Sequence, residues 1–150
     1  MSDIFNGACL CGDVTYRIEA EPIVKLACHC SGCQKQTGTS FAAIMGFPKN
    51  KMTIEGTLKS YTSKGGSGEP LKRHFCPKCG SGIYSDVGVV PGMVMIRVGN
   101  LDDPSVFTPD AHIHCGKKSH WIKLGDAVQF EAAPGKAAGN LSEKVAQADQ

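Results

Sequence analysis

Short alternating runs of apolar and polar residues dominate the first 130 positions. Asp13-Val14-Thr15-Tyr16-Arg17-Ile18-Glu19 puts Val14, Tyr16 and Ile18 on one side, the period-two pattern of a half-buried strand. Pro22 breaks it. Val24-Lys25-Leu26-Ala27 predicts another strand, and the apolar run 41–47 a third, stopped by Pro48. Met52-Thr53-Ile54-Glu55 and Leu58-Lys59-Ser60-Tyr61-Thr62 flank Glu55-Gly56-Thr57, which predicts a hairpin turn. Residues 63–70 form a polar, glycine-rich loop, expected to be mobile and close to a ligand. Leu71-Lys72-Arg73-His74-Phe75, Ile83-Tyr84-Ser85 and residues 93–98 continue the strand pattern. A long helical period is missing up to Phe130. Residues 34–38 offer one helical turn closed by Gly38. The expectation is a mainly β single domain of short antiparallel strands, a sandwich or open barrel.

The totals support one domain. A chain of 150 residues, 41% hydrophobic and 20% charged, can bury a sizeable core. From Ala132 the composition turns to Ala, Gly, Lys and Gln. The division is therefore a domain over 1–131 and a tail over 132–150, with a weak helix at most in 141–147. A net charge of +2 without a Lys/Arg run argues against a nucleic-acid partner. No apolar run approaches a membrane span. Met1-Ser2-Asp3-Ile4 lacks the basic-then-apolar pattern of a signal segment, so a cytoplasmic location is expected. In that compartment eight cysteines read as metal ligands before disulfides.

The cysteines fall into Cys9/Cys11, Cys28/Cys30/Cys33, Cys76/Cys79 and the single Cys115. Cys76-Pro77-Lys78-Cys79-Gly80 has the spacing of a zinc knuckle, where backbone N–H groups face the sulfurs. It supplies two ligands and needs a second pair. Spacing admits either Cys30/Cys33, which makes an ordinary zinc ribbon, or Cys9/Cys11. The latter leaves a separate three-sulfur group in Cys28-His29-Cys30-Ser31-Gly32-Cys33. Economy favours it, because only Cys115 then stays unassigned.

Gly7-Ala8-Cys9-Leu10-Cys11-Gly12-Asp13-Val14, the stretch from Cys28 to Cys33 leading into Thr37-Gly38, and Phe75-Cys76-Pro77-Lys78-Cys79-Gly80 occur in that order. His112-Ile113 and Trp121-Ile122-Lys123-Leu124 follow, ahead of Phe130. Together these resemble the glutathione-dependent formaldehyde-activating enzyme family, also called the centromere protein V-like domain, over roughly residues 4–130. The resemblance implies a fold like that of methionine sulfoxide reductase B and a zinc-bearing exchange-factor chaperone. It implies two Zn²⁺ per chain: a structural ion on Cys9, Cys11, Cys76 and Cys79, and a catalytic ion on Cys28, Cys30 and Cys33. Gln34 stands where Arg is frequent in the family, and His120 where Pro is frequent before the tryptophan.

Charge counting explains why the three-sulfur group matters. Zinc with four thiolates is coordinatively full; with three it can accept a substrate sulfur. The expected activity is a zinc-dependent carbon–sulfur lyase reaction on a thiol adduct, with glutathione and formaldehyde giving S-hydroxymethylglutathione as the family's pair. The competing class is a non-catalytic, zinc-stabilised binding module, which a fourth protein ligand from a histidine or Cys115 would create. His112 matches the family's His-Ile element and is the candidate acid–base group; His112 and His114 alternate on one extended stretch and would share a side. For His29 a solvated or supporting ring is expected, for His74 packing, for His120 exposure, and for Cys115 a buried, inert thiol. Lys72, Arg73, Lys117 and Lys118 are candidates for carboxylate binding, with solvated surface as the ordinary fate. Asp102-Asp103-Pro104 reads as a turn cap.

Overall fold

A computed structural model of the chain describes residues 3–133, and the segment 141–147 lies outside them. Strands β1 (Ile4–Ala8), β2 (Thr15–Glu19) and β3 (Val24–Cys28) lead into a short helix α1 (Ser31–Thr37). Strands β4 (Ala42–Pro48), β5 (Met52–Glu55), β6 (Lys59–Lys64), β7 (Pro70–Phe75), β8 (Gly82–Val87) and β9 (Met93–Arg97) follow, then β10 (Ala111–Ile113) and β11 (Val128–Gln129). The architecture is mainly β, as the alternation implies. Helix α1 is longer than the single turn expected and begins inside the cysteine loop. Cys30 caps it by accepting the Cys33 N–H at 3.2 Å, and Gly38 closes it in the left-handed conformation.

Two sheets form, β1-β2-β5 and β11-β10-β3-β4-β9-β8-β7-β6. The hairpin expected at Glu55-Gly56-Thr57 is absent. β5 pairs antiparallel with β2 and β6 with β7, so residues 56–58 carry the chain from one sheet to the other. Short-range turn chemistry lost here to burial: Met52 and Ile54 pack with Tyr16 and Ile18 in the core. The true hairpin joins β6 and β7 through the glycine-rich loop.

The small sheet covers one face of the large one. Val14, Tyr16 and Ile18 meet Met45, Phe47, Val94 and Ile96 there. Phe47 and Ile18 are fully buried, and each contributes roughly 1.5–3 kcal/mol. The opposite face of the large sheet carries Leu26, Cys28, Ile44, Met93, Met95 and Ile113, a second apolar cluster that includes Cys33 of α1. Period-two alternation thus assigns each long strand of the middle to two cores at once.

β10 runs parallel to β3, pairing Ile113 with Cys28. That pairing sets the C-terminal ends of both strands side by side. At the far end of the sheet the register slips between His74 and Phe75, bending β7 just before Cys76. His74 stacks on Tyr84 with centroids 4.2 Å apart, and its Nε2 meets Asp86 at 2.8 Å. Lys49 donates to the same carboxylate at 2.8 Å.

Burial alone would raise the Asp86 pKa, but the hydrogen bonds from Lys49 and His74 outweigh it and hold the carboxyl below the usual range. A depressed carboxyl stabilises the fold above its unfolded pKa, about 3.9, and loses that contribution as pH falls through its lower folded value. Asp86→Asn should cost about 1 kcal/mol at pH 7, and the difference from the parent should be smaller at about pH 3. Urea unfolding at both pH values measures it; an equal gap at both would contradict the assignment.

Candidate metal centres and the adjoining cavity

The structure selects between the two pairings that spacing leaves open. Cys9 and Cys11, in the turn after β1, meet Cys76 and Cys79, in the turn after β7, with all four sulfurs within 4.8 Å of one another. Cys9 and Cys11 lie 3.6 Å apart and Cys11 and Cys76 3.8 Å. A tetrahedron with zinc–sulfur bonds of about 2.3 Å has edges of about 3.8 Å, so this donor set fits the ion. Backbone N–H groups face the sulfurs: Val14 N donates to Cys9 Sγ at 3.2 Å. Gly80, at φ 78°, permits the turn that returns the chain to β8. Ser81 contributes twice, its hydroxyl touching Cys79 Sγ at 3.2 Å and accepting Leu10 N at 3.0 Å. That hydroxyl, with backbone N–H groups, pulls the Cys79 thiol down to about 5.

The second group is Cys28, Cys30 and Cys33, at the end of β3 and the start of α1, again within 4.8 Å. Among the described residues no histidine, carboxylate or further cysteine joins it at that spacing. Negative charge concentrates on Cys30, whose pKa is lowered by hydrogen bonds from the Cys28 and Cys33 thiols and by the Cys33 N–H. The same contacts push Cys28 up. Three sulfurs so close cannot all ionise without a cation, and a metal ion supplies one. Both clusters could therefore hold metal ions.

His29 is fully buried between two of these cysteines. Its Nε2 lies 2.9 Å from His112 Nδ1, and its N–H donates to Ile113 O at 3.0 Å. Burial lowers the pKa of both imidazoles, and the mutual charge lowers that of His29 further. Gln34 fastens the loop, donating to His29 O at 2.8 Å and Lys117 O at 3.0 Å.

The two histidines expected to share a side do not. Strand β10 ends at Ile113, and His114 turns to φ 54°. His112 sits on the β10 face turned away from the three-cysteine cavity, while His114 lines that cavity. The glycine-rich loop reaches the same place. Gly65, Gly66 and Ser67 line the cavity, and a Cβ on Gly66 would stand 2.7 Å from His114 Cε1. A larger cavity elsewhere, beside Phe5, Lys25 and Asp102, contains none of the cysteines.

Other candidates settle as follows. His120 is exposed, and Asp103 caps a short turn by accepting Ser105 N at 3.1 Å. Cys115 is half-buried rather than buried and joins neither cluster. Arg73, expected at the surface, is 8% exposed. Arg97, not singled out in the sequence, lines the cavity and is bonded to Gln36 at 2.8 Å. Its signal was present: it continues the Met93, Met95 face of β9, where a charge needs a reason to be.

A mainly β domain bearing two cysteine clusters able to hold metal ions is the class that fold and site define. Within it, the chain belongs to the glutathione-dependent formaldehyde-activating enzyme family, whose profile matches residues 4–117. A Halomonas elongata protein provisionally named as a glutathione-dependent formaldehyde-activating enzyme is 23% identical over 146 residues, 93% of each chain. A Rhodobacter sphaeroides crystal structure shares the fold, with a TM-score of 0.51 at 18% identity over 83% of this chain and 98% of that one. Among the described residues, no helix is long and apolar enough to cross a membrane.

Opening the four-sulfur cluster should unfasten two distant turns at once. Cys76→Ser is expected to lower the bound metal by one equivalent per chain and the Tm by about 10 °C or more, a loss of several kcal/mol. Metal analysis beside calorimetry checks both, and an unchanged Tm would contradict a structural role.

Proposed function

We propose that the chain is a carbon–sulfur lyase-type enzyme that makes and breaks the bond between a thiol and an aldehyde carbon, with glutathione and formaldehyde as the pair named by its family. The observation carrying this reading is the three-sulfur group, which opens onto a cavity and finds no fourth protein ligand among the described residues. Zinc held by three thiolates would supply a vacant place at which a substrate sulfur is stabilised as the thiolate. Cys28, Cys30 and Cys33 would hold that ion; Cys9, Cys11, Cys76 and Cys79 would hold the structural one.

The chain's own residues account for the rest. Adding S–H across C=O forms the carbon–sulfur bond, breaks the carbonyl π bond and moves one proton from sulfur to oxygen; the reverse step is the lyase direction. His114 is the imidazole that faces the cavity, and we assign it the proton transfer in place of His112. His112 instead buttresses His29 and so the cysteine loop. The Gly65–Gly66–Ser67 loop roofs the cavity and limits water there.

Cys30→Ser should lose the second zinc equivalent, keep its fold and lose turnover by about 100-fold or more. Unchanged turnover with that metal absent would end the reading, and a zinc-replete chain inert toward thiol and aldehyde would favour the binding module. His114→Gln should cost 10²–10⁴-fold in kcat by the usual scale of general acid–base catalysis, about that much more than His112→Gln costs in a folded protein. Exchange spectroscopy of the hemithioacetal measures both.

A further inference from the structure

The cavity beside Cys28, Cys30 and Cys33 has hydrocarbon walls. Leu26, Ile44, Val90, Met93, Met95 and Ile113 line it, all at most 8% exposed. Its volume is about 170 Å³. A water needs about 10–15 Å³ by the same measure, so the space admits a short alkyl chain. Formaldehyde would leave most of that space empty. Glutathione brings two carboxylates and an ammonium group; Arg97 and Glu69 in the lining could pair with one carboxylate and the ammonium, which leaves a second carboxylate against aliphatic walls at a cost of several kcal/mol.

Besides the cysteines, Ser67, Glu69, Ser85, Arg97 and His114 interrupt the apolar lining. Ser85 lines the cavity, is 2% exposed, and its Oγ has no hydrogen-bond partner among the described residues. Arg73 is its cross-strand neighbour, 8% exposed, and its Nε has none either. The rest of that guanidinium is anchored. Nη1 donates to Ser63 Oγ at 2.8 Å, and Nη2 lies 3.2 Å from the point where Gly32 would carry a Cβ. Cys30 Sγ is 3.9 Å from the same point, so the arginine borders the cysteine loop. A buried donor without a partner costs about 1–3 kcal/mol, which an oxygen of a bound molecule would recover.

Resting on the carbon–sulfur reading of this same site, we propose that the cavity holds a short hydrocarbon chain next to the carbon–sulfur bond, with the oxygen of the adduct on Ser85 and its cross-strand neighbour Arg73. The substrate class is a hemithioacetal with an alkyl substituent, larger and less polar than the formaldehyde adduct. It forms by the balanced addition given above and needs no oxidant or reductant.

The test uses the zinc-loaded full chain. Dissociation constants are measured by calorimetry for ethanethiol through pentanethiol. Catalysed exchange is measured by NMR for glutathione with formaldehyde, propanal and butanal. Affinity should rise about fourfold per methylene until the chain fills the cavity. A chain carried by the aldehyde shows instead as the same steepness in the alkanal series with a flat thiol series, and also supports the proposal. Both series flat overturns it. Ser85→Ala leaves the volume almost unchanged; it should preserve the chain-length slope and slow alkanal exchange about fivefold, and an unchanged rate would remove Ser85 from the assignment. Steep thiol binding without catalysed exchange of any aldehyde would keep the cavity assignment and remove the lyase reading. Exchange of glutathione with formaldehyde on flat series would do the reverse.

Discussion

Repulsion between crowded thiolates, and its relief by a cation, is the interaction on which this structure turns. Seven sulfurs converge in two groups, and in neither could all of them ionise without a positive ion between them. The four-sulfur group clamps the turn after β1 to the turn after β7, far apart in the chain and in different sheets. The Lys78–Asp13 ion pair, 3.4 Å at an exposed position, adds little beside it. The small sheet is held from below by its apolar face and at its end by sulfur, so core and cluster support the same arrangement.

The second group uses the same chemistry with one donor fewer, and its surroundings explain why it can afford that. Parallel pairing of β3 and β10 stacks the cysteine loop on the Ile113–His114 corner. The His29–His112 pair and Gln34 then fix the loop from the side away from the cavity. Rigidity therefore comes from behind, and the side facing the cavity is left to hydrocarbon and a few polar groups, among them Ser85, Arg97 and His114. Firm support on one face and a cavity on the other is the arrangement a reactive metal site would need and a purely structural one would not.

The strand alternation and the cysteine spacing made much of this legible. Val14, Tyr16 and Ile18 do face one core, and the knuckle at Cys76 and Cys79 does assemble a sulfur cluster. What stayed hidden depends on contacts distant in the chain. Spacing cannot say that the knuckle meets Cys9 and Cys11, because that choice is made by how two sheets stack. The hairpin signal at Gly56 was locally sound and lost to the burial of Ile54 against β2. Arg73 reads as an ordinary cation because the strand pattern does not reveal which face of β7 will be buried. His114 was misplaced beside His112 because a left-handed residue at a strand end is invisible to a period-two rule.

The claim beneath all of this is that one cluster is closed and the other accepts a further sulfur. Cadmium substituted for zinc, followed by ¹¹³Cd NMR during titration with a small thiol, tests it most directly. The account predicts two resonances, one unmoved by the thiol and one shifting as a fourth sulfur arrives. Two resonances that both ignore the thiol would contradict it.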